Sequence, residues 1–191
     1  MAILKKSQLV QKYNNMQSYL TSESGERAYA SGRLKEFSEQ FSILNKYDIF
    51  LSHSYDDARI IKLIKEMLEM NGFSVYVDWI EDSQLNRGNV NVTSASLIRN
   101  RMDCCSSLIY ITSESAEKSV WMPWELGYMD AKTRRVAVAP ILNEEADFDG
   151  REYLGLYPYL DLTNDSFYIH SSRSEWVNLI GWMKGENPSR H

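Results

Sequence analysis

The chain reads as an α/β protein, a flavodoxin-like, doubly wound sheet of about five mostly parallel strands, with an N-terminal helical extension ahead of it. Three observations predict this. From Tyr47 onward, short apolar strand-like runs alternate with stretches whose apolar residues recur at helical spacing, the pattern of βαβ units with right-handed crossovers. The alternating part is about 140 residues long, which suits one doubly wound domain. Polar and aromatic residues concentrate in the segments that follow the strands, SHSYDD, DWIEDSQLNRGN and SESAEKSVW, where open α/β sheets form their ligand crevice.

Residues 1–45 make up the extension, which is polar, contains no proline or tryptophan, and reads as two helices broken near TSESGE. In the second, Leu34, Phe37, Phe41 and Leu44 recur at alternating three- and four-residue steps, an a/d-like seam that packs either on the main domain or on a second copy of itself. The main domain spans 46–185, and a short tail, 186–191, follows. Its first strand is YDIFLS (47–52). Ser54 and Asp57 form a capping-box-like helix start with Asp where Glu is usual. Ile60, Leu63, Ile64, Met67 and Leu68 then mark one face of an amphipathic helix, which Asn71 and Gly72 end in the manner of an αL cap. FSVYVD (73–78) is the second strand, and the polar loop WIEDSQLNRGN follows it. A helix near 92–104 leads to the strand SLIYIT (107–112), then to a helix over SVWMPWELGYMDA, then to the strand RVAVAPIL (135–142). YLDL (159–162) is the fifth strand, and Trp176, Leu179, Ile180 and Met183 mark a closing helix.

Composition narrows the function. With 43% hydrophobic and 25% charged residues the chain describes a soluble globular protein, and a net charge of -5 argues against bulk nucleic-acid binding. The apolar run before Lys5 is far short of a signal-peptide core, and no later run approaches the roughly 18 residues needed to cross a bilayer. A cytoplasmic protein with neither nucleic-acid nor membrane partners is expected. Adjacent cysteines, Cys104 and Cys105, cannot staple a fold and cannot alone make a zinc site; they read as small hydrophobes at a helix end. The three histidines lie far apart, so no metal site is expected.

Trp121 and Glu125 stand four residues apart and share a helix face. Their surroundings are too aromatic for a solvated surface and carry a charge that an ordinary core refuses. Together with three other segments this one resembles the TIR (Toll/interleukin-1 receptor) domain, and in particular its bacterial NAD-consuming members. YDIFLSHSYDDA is similar to the family's first motif, VYVDWIEDSQLNRGNVN to its second strand and BB loop, LIYITSESAEKSVWMPWELGYMDA to its third strand and W-x-x-x-E helix, and VAVAPIL to its fourth strand. The likeness covers roughly residues 46–185. It implies that Glu125 is the catalytic glutamate and that Trp121 starts the W-x-x-x-E motif. Ser52 and His53 would line the nicotinamide-ribose pocket, although many members carry Tyr or Phe where His53 stands. Asp78, Trp79 and Arg87 would belong to the loop region that shapes the site and mediates assembly.

The resemblance further implies an NAD glycohydrolase or cyclase similar to the TIR component of Thoeris anti-phage systems. NAD would be its substrate and no cofactor would be needed. Its partners would be further copies of itself, through TIR domains, and a separate effector protein that senses the product. Two other readings stay open. One is a non-catalytic TIR–TIR interaction module, although such members usually lack an acidic residue where Glu125 stands. The other is a nucleoside deoxyribosyltransferase, which requires a second carboxylate, with Asp78 or Asp82 as local candidates. A phosphoacceptor receiver domain is set aside, because the third strand ends in IYITSES with no closing aspartate.

The chemistry suits one carboxylate. Nicotinamide leaves a cationic ring as a neutral molecule and needs little acid assistance, so the demand is to stabilise oxocarbenium-like charge on the ribose. A carboxylate that accepts hydrogen bonds from the ribose hydroxyls does this. Two such bonds that strengthen in the transition state supply about 3–5 kcal/mol, a factor of about 10² to 10³. A large ring one turn before the glutamate would wall the pocket and exclude water.

Overall fold

In the computed structural model, which describes residues 4–20, 46–81, 91–113, 116–142 and 152–190, the chain builds one mixed sheet with helices on both faces. The elements in chain order are β1 (Leu4–Lys5), α1 (Lys6–Leu20), β2 (Tyr47–Ser52), α2 (Ala58–Met70), β3 (Val75–Tyr76), α3 (Asp78–Glu81), α4 (Val92–Asp103), β4 (Cys105–Thr112), α5 (Trp121–Thr133), β5 (Val136–Leu142), β6 (Tyr159–Thr163), β7 (Ser166–His170), β8 (Glu175–Asn178), α6 (Leu179–Met183) and β9 (Ser189–Arg190). The strand order is β3-β2-β4-β5-β6-β7-β8-β9, with β1 beside the end of β5. From β3 to β6 every pairing is parallel, and these five strands are the doubly wound sheet that the alternation predicts.

The sheet is larger than expected. Beyond β6 it continues through β7, β8 and β9 in antiparallel pairing. Asn164 and Asp165 both adopt positive φ, 49° and 60°, which is the backbone a tight hairpin between β6 and β7 requires. The predicted closing helix is shorter than its spacing suggests. Trp176 lies on β8, with its ring edge-on to Tyr168 across the hairpin at 5.2 Å, and the helix begins only at Leu179. Asn178 starts it, its side-chain oxygen accepting from the Gly181 amide at 2.7 Å.

Two further expectations are corrected. The second strand shrinks from 73–78 to Val75–Tyr76, because Ser74 is taken up by the Asp48 carboxylate and Asp78 already opens α3. Asp57 makes no capping bond to α2; its carboxylate instead accepts from the Ser113 hydroxyl, across from the end of β4. Gly72 does take the left-handed conformation expected after α2, with φ 87°. In the described part of the N-terminal extension, β1 pairs with Ile141 and Leu142 of β5, and Leu4 and Leu9 are buried in the main core. The Leu34–Leu44 seam lies outside the described residues.

Because strand side chains alternate, the parallel strands feed two separate cores. Ile49, Leu51, Val75, Val77, Ile109, Ile111, Ala137 and Ala139 face α2, where Ile61, Ile64 and Leu68 are fully buried. Phe50, Tyr76, Leu108, Tyr110, Val136 and Val138 face α4 and α5, against Ile98, Met102, Trp121, Met122, Leu126 and Met129. Pro123 is tolerated in α5 because it falls in the first turn, where backbone N–H groups have no intrahelical partner. Ser119 begins that helix by accepting from the Met122 amide. Cys104 ends α4 and Cys105 begins β4, where burial and its neighbour Cys104 push the Cys105 thiol up. Among the described residues no helix is long and apolar enough to cross a membrane.

Candidate active site

Within the doubly wound part the chain starts at β2, steps to β3 on one side, and returns across β2 to β4 on the other. The order therefore reverses between β2 and β4, and a doubly wound sheet opens its crevice at the carboxyl ends of such a pair. Ser52 is the last residue of β2 and pairs in register with Tyr110 of β4. It has the same parity as Phe50, so it points towards α5. There its hydroxyl donates to Glu125 Oε2 at 2.6 Å, and both residues are 0% exposed. The separation is that of a charge-assisted O–H···O⁻ bond, and such a bond contributes about 1.5–3 kcal/mol. Glu125 is placed by helix geometry, one turn into α5, on the face that Trp121, Met122 and Leu126 anchor in the core.

His53 follows directly, and it too is buried. Its Nδ1–H donates to the Leu51 carbonyl at 2.8 Å, which fixes the ring's orientation and leaves Nε2 facing the Asp78 carboxylate at 3.6 Å. That gap exceeds a hydrogen bond but is within ion-pair range. His53 and Asp78 thus tie the end of β2 to the end of β3. A third tie, Ser113 to Asp57, joins the segment after β4 to the segment after β2. Polar contacts thus line the crevice at the ends of β2, β3 and β4.

Not every residue assigned from the sequence joins this group. Ser52 and Glu125 meet, and His53 and Asp78 meet beside them. Trp79, on α3, packs half-buried against the aliphatic core on the opposite face of the sheet from Glu125. Trp121 is 5% exposed and sits edge-on to Trp124 at 5.7 Å. Trp124 in turn stacks towards Tyr128 and lies beneath the Arg99 guanidinium. Arg87 and Asp82 lie outside the described residues. Asp78, the other carboxylate considered for a two-carboxylate reaction, is directed at His53.

One neighbour of Glu125 was missed. Tyr110 is buried in β4, is hydrogen-bonded to Tyr153, and is close enough to Glu125 to feel its charge. Burial, Tyr153 and Glu125, in that order, push its phenol up. A phenol on a strand that closes at the crevice, two residues from a threonine, is the signal that could have marked it. Among the described residues no group of three or more His, Cys, Asp or Glu side chains could hold a metal ion.

A profile of the TIR domain family matches residues 49–177. The chain is 47% identical over 146 residues to the "Probable 3' cyclic ADP-D-ribose synthase ThsB'" of Bacillus cereus (strain MSX-D12), a match covering 72% of this chain and 76% of that protein. A protein of Cytobacillus dafuensis, TIR2, whose name provisionally gives it cyclic ADP-D-ribose synthesis, is 28% identical over 123 residues, covering 63% of this chain and 32% of its own. Among solved structures, the TIR domain of the Toll-related receptor TRR-2 from Hydra magnipapillata matches with a TM-score of 0.45 at 21% identity, covering 61% of this chain and 84% of that one.

Proposed function

The chain belongs to the TIR domain family, and on that premise we propose that it cleaves the nicotinamide–ribose bond of NAD and closes the ADP-ribose product into a cyclic signal. Anti-phage defence of the Thoeris type is its proposed setting, with a separate effector protein reading the signal. One observation carries this reading: a buried serine hydroxyl on a buried helix glutamate at 2.6 Å, at the switch point of the sheet. The relative that is 47% identical is itself named for cyclic ADP-D-ribose synthesis.

In this mechanism the bond between the ribose anomeric carbon and the pyridine nitrogen breaks, and its electron pair leaves with nicotinamide, which becomes neutral. The positive charge passes to the ribose. Glu125 accepts hydrogen bonds from the sugar hydroxyls and stabilises that charge, and Ser52 holds the carboxylate in one orientation. His53 lines the pocket and Asp78 positions it. Trp121 contributes by anchoring α5, so that Glu125 arrives at a fixed height along the helix. Arg87 belongs to the segment after β3 that shapes the site when chains assemble, and Trp79 fastens the start of that segment to the aliphatic core. Capture of the ribosyl cation by a nucleophile of the same molecule gives the cyclic product, and capture by water gives linear ADP-ribose. Water or a sugar hydroxyl gives up its proton to solvent on capture, whereas an adenine ring nitrogen carries none and takes the positive charge onto the base.

Glu125 is closed off from solvent in the single chain, so the sugar reaches it only after its covering side chains shift. Self-association of TIR domains supplies that opening, and turnover per molecule therefore rises with protein concentration. The leaving group departs neutral without a Lewis acid, so EDTA leaves turnover unchanged. The test is NAD incubated with the full chain, with products separated against linear and cyclic standards and weighed by mass spectrometry. Nicotinamide with a cyclic ADP-ribose isomer is expected. Wholly linear ADP-ribose would remove the signalling part of the proposal, and no nicotinamide at any concentration would favour the interaction module.

A further inference from the structure

A site that breaks an N-glycosidic bond beside a dinucleotide's flat rings needs a wall for one of them. Trp121 has its ring engaged in the core, edge-on to Trp124 at 5.7 Å. The exposed aromatic linked to the neighbourhood of Glu125 is Tyr153. It lies on the single turn Glu152–Leu156 and is 40% exposed, yet its hydroxyl is bonded to the buried phenol of Tyr110. Tyr110 stands directly across from Ser52 on the neighbouring strand. The residue after Tyr153, Leu154, is buried in the same cluster as Trp121. Three residues further on, the Tyr157 hydroxyl donates to the Asp130 carboxylate of α5 at 3.0 Å. The turn is thus fastened to β4 and to α5, while one ring on it stays open to solvent. A ring held in place before a ligand arrives loses little conformational freedom on binding.

We propose that Tyr153 is a substrate-contacting residue, its ring the surface on which a flat heteroaromatic ring of the substrate stacks, and that Tyr110 is the positioning residue that holds it. This deepens the reading of the site as one that takes NAD. Two rings of NAD have the right chemistry, nicotinamide and adenine, and the probes below separate them.

The experiment measures Kd by equilibrium dialysis on the full chain carrying Glu125→Gln, which blocks turnover, with folding of each variant checked by circular dichroism. Adding Tyr153→Ala weakens NAD binding about tenfold, the ordinary scale of a lost base–aromatic stack. Tyr153→Phe and Tyr110→Phe each keep a ring but cut the tether, and weaken binding about two- to threefold. Tyr157→Phe removes the bond to Asp130 but keeps the contact with Tyr110, so it moves Kd by less than Tyr110→Phe does. Nicotinamide mononucleotide and ADP-ribose are then used as probes, and the one whose Kd shifts with Tyr153→Ala names the ring. Equal Kd with and without Tyr153→Ala, or an equal loss from Tyr157→Phe, overturns the proposal. Nicotinamide release by the wild-type chain tests the enzymatic reading separately. Absent release with the tenfold Kd difference intact sinks that reading and leaves Tyr153 standing; release with equal Kd values does the reverse.

Discussion

On one face of the sheet Ile49, Leu51, Ile109 and Ile111 meet the aliphatic stripe of α2, while on the other Phe50, Ser52 and Tyr110, one residue out of step along the same strands, meet Trp121 and Glu125 of α5. The first face is closed by hydrocarbon, with Ile61 and Leu68 wholly buried. The second carries phenols, indoles and a buried hydroxyl–carboxylate bond. One set of strands therefore supplies stability with its odd-numbered residues and chemistry with its even-numbered ones. The offset also protects register: a slip of one residue would put Ser52 among the aliphatics and Leu51 against a buried carboxylate.

If the two faces are separable, substitutions on each should move different observables. The largest effect on stability is expected from Ile61→Ala, which opens a cavity on the aliphatic face at a cost of about 2–5 kcal/mol. Chemical denaturation should show it, while nicotinamide release per folded molecule stays at the wild-type value; a parallel fall in both would break the division. Ser52→Ala acts on the other face. It takes the hydroxyl from Glu125 and should lower turnover about 10- to 100-fold, the range of one or two lost units of about 1.4 kcal/mol. Ser52→Thr, which keeps a hydroxyl, should recover part of that loss.

The smallest effect sharpens the comparison at high pH. Burial, with the bond to Asp130, pushes the Tyr157 phenol from 10.0 up to about 12. Between those values the unfolded chain has lost this proton and the folded chain keeps it, so the unfolded state binds fewer protons and stability falls as pH rises. Tyr157→Phe should flatten part of that alkaline slope in pH-dependent melting and leave the slope below pH 9 untouched. An unchanged slope would mean that the turn carrying Tyr153 is not fastened to α5 as described.

Much of this arrangement was legible in the sequence. The alternation of strand-like and helical stretches located β2, α2, α4, β4, α5 and β5, and α2 is long and one-sided enough for its helical spacing to repeat. The carboxyl-end rule singled out the segment holding Ser52 and the one leading into α5, while Glu125, 73 residues from Ser52, was marked by its spacing to Trp121 and by the family resemblance. The antiparallel end was not legible, since β7 and β8 are short and Trp176, Leu179, Ile180 and Met183 satisfy a helical spacing while straddling a strand and a one-turn helix. Asp57 could not be seen to serve Ser113 in place of its own helix, because both uses need the same carboxylate at the same position. The burial of Trp121 and the meeting of Tyr110 with Tyr153 are tertiary facts. A W-x-x-x-E spacing fixes that its two residues share a helix face, not which of them the rest of the fold covers.

The account rests on Glu125 being the group that stabilises charge in the reaction, and the most direct measurement is nicotinamide release from NAD by Glu125→Gln beside the wild type at matched folded concentration. Glutamine preserves the size of the side chain and can still accept from Ser52, but it removes the negative charge. Turnover should fall by about 10² to 10³ or more, with the unfolding transition close to that of the wild type. Release at the wild-type rate by a folded Glu125→Gln chain would contradict the account.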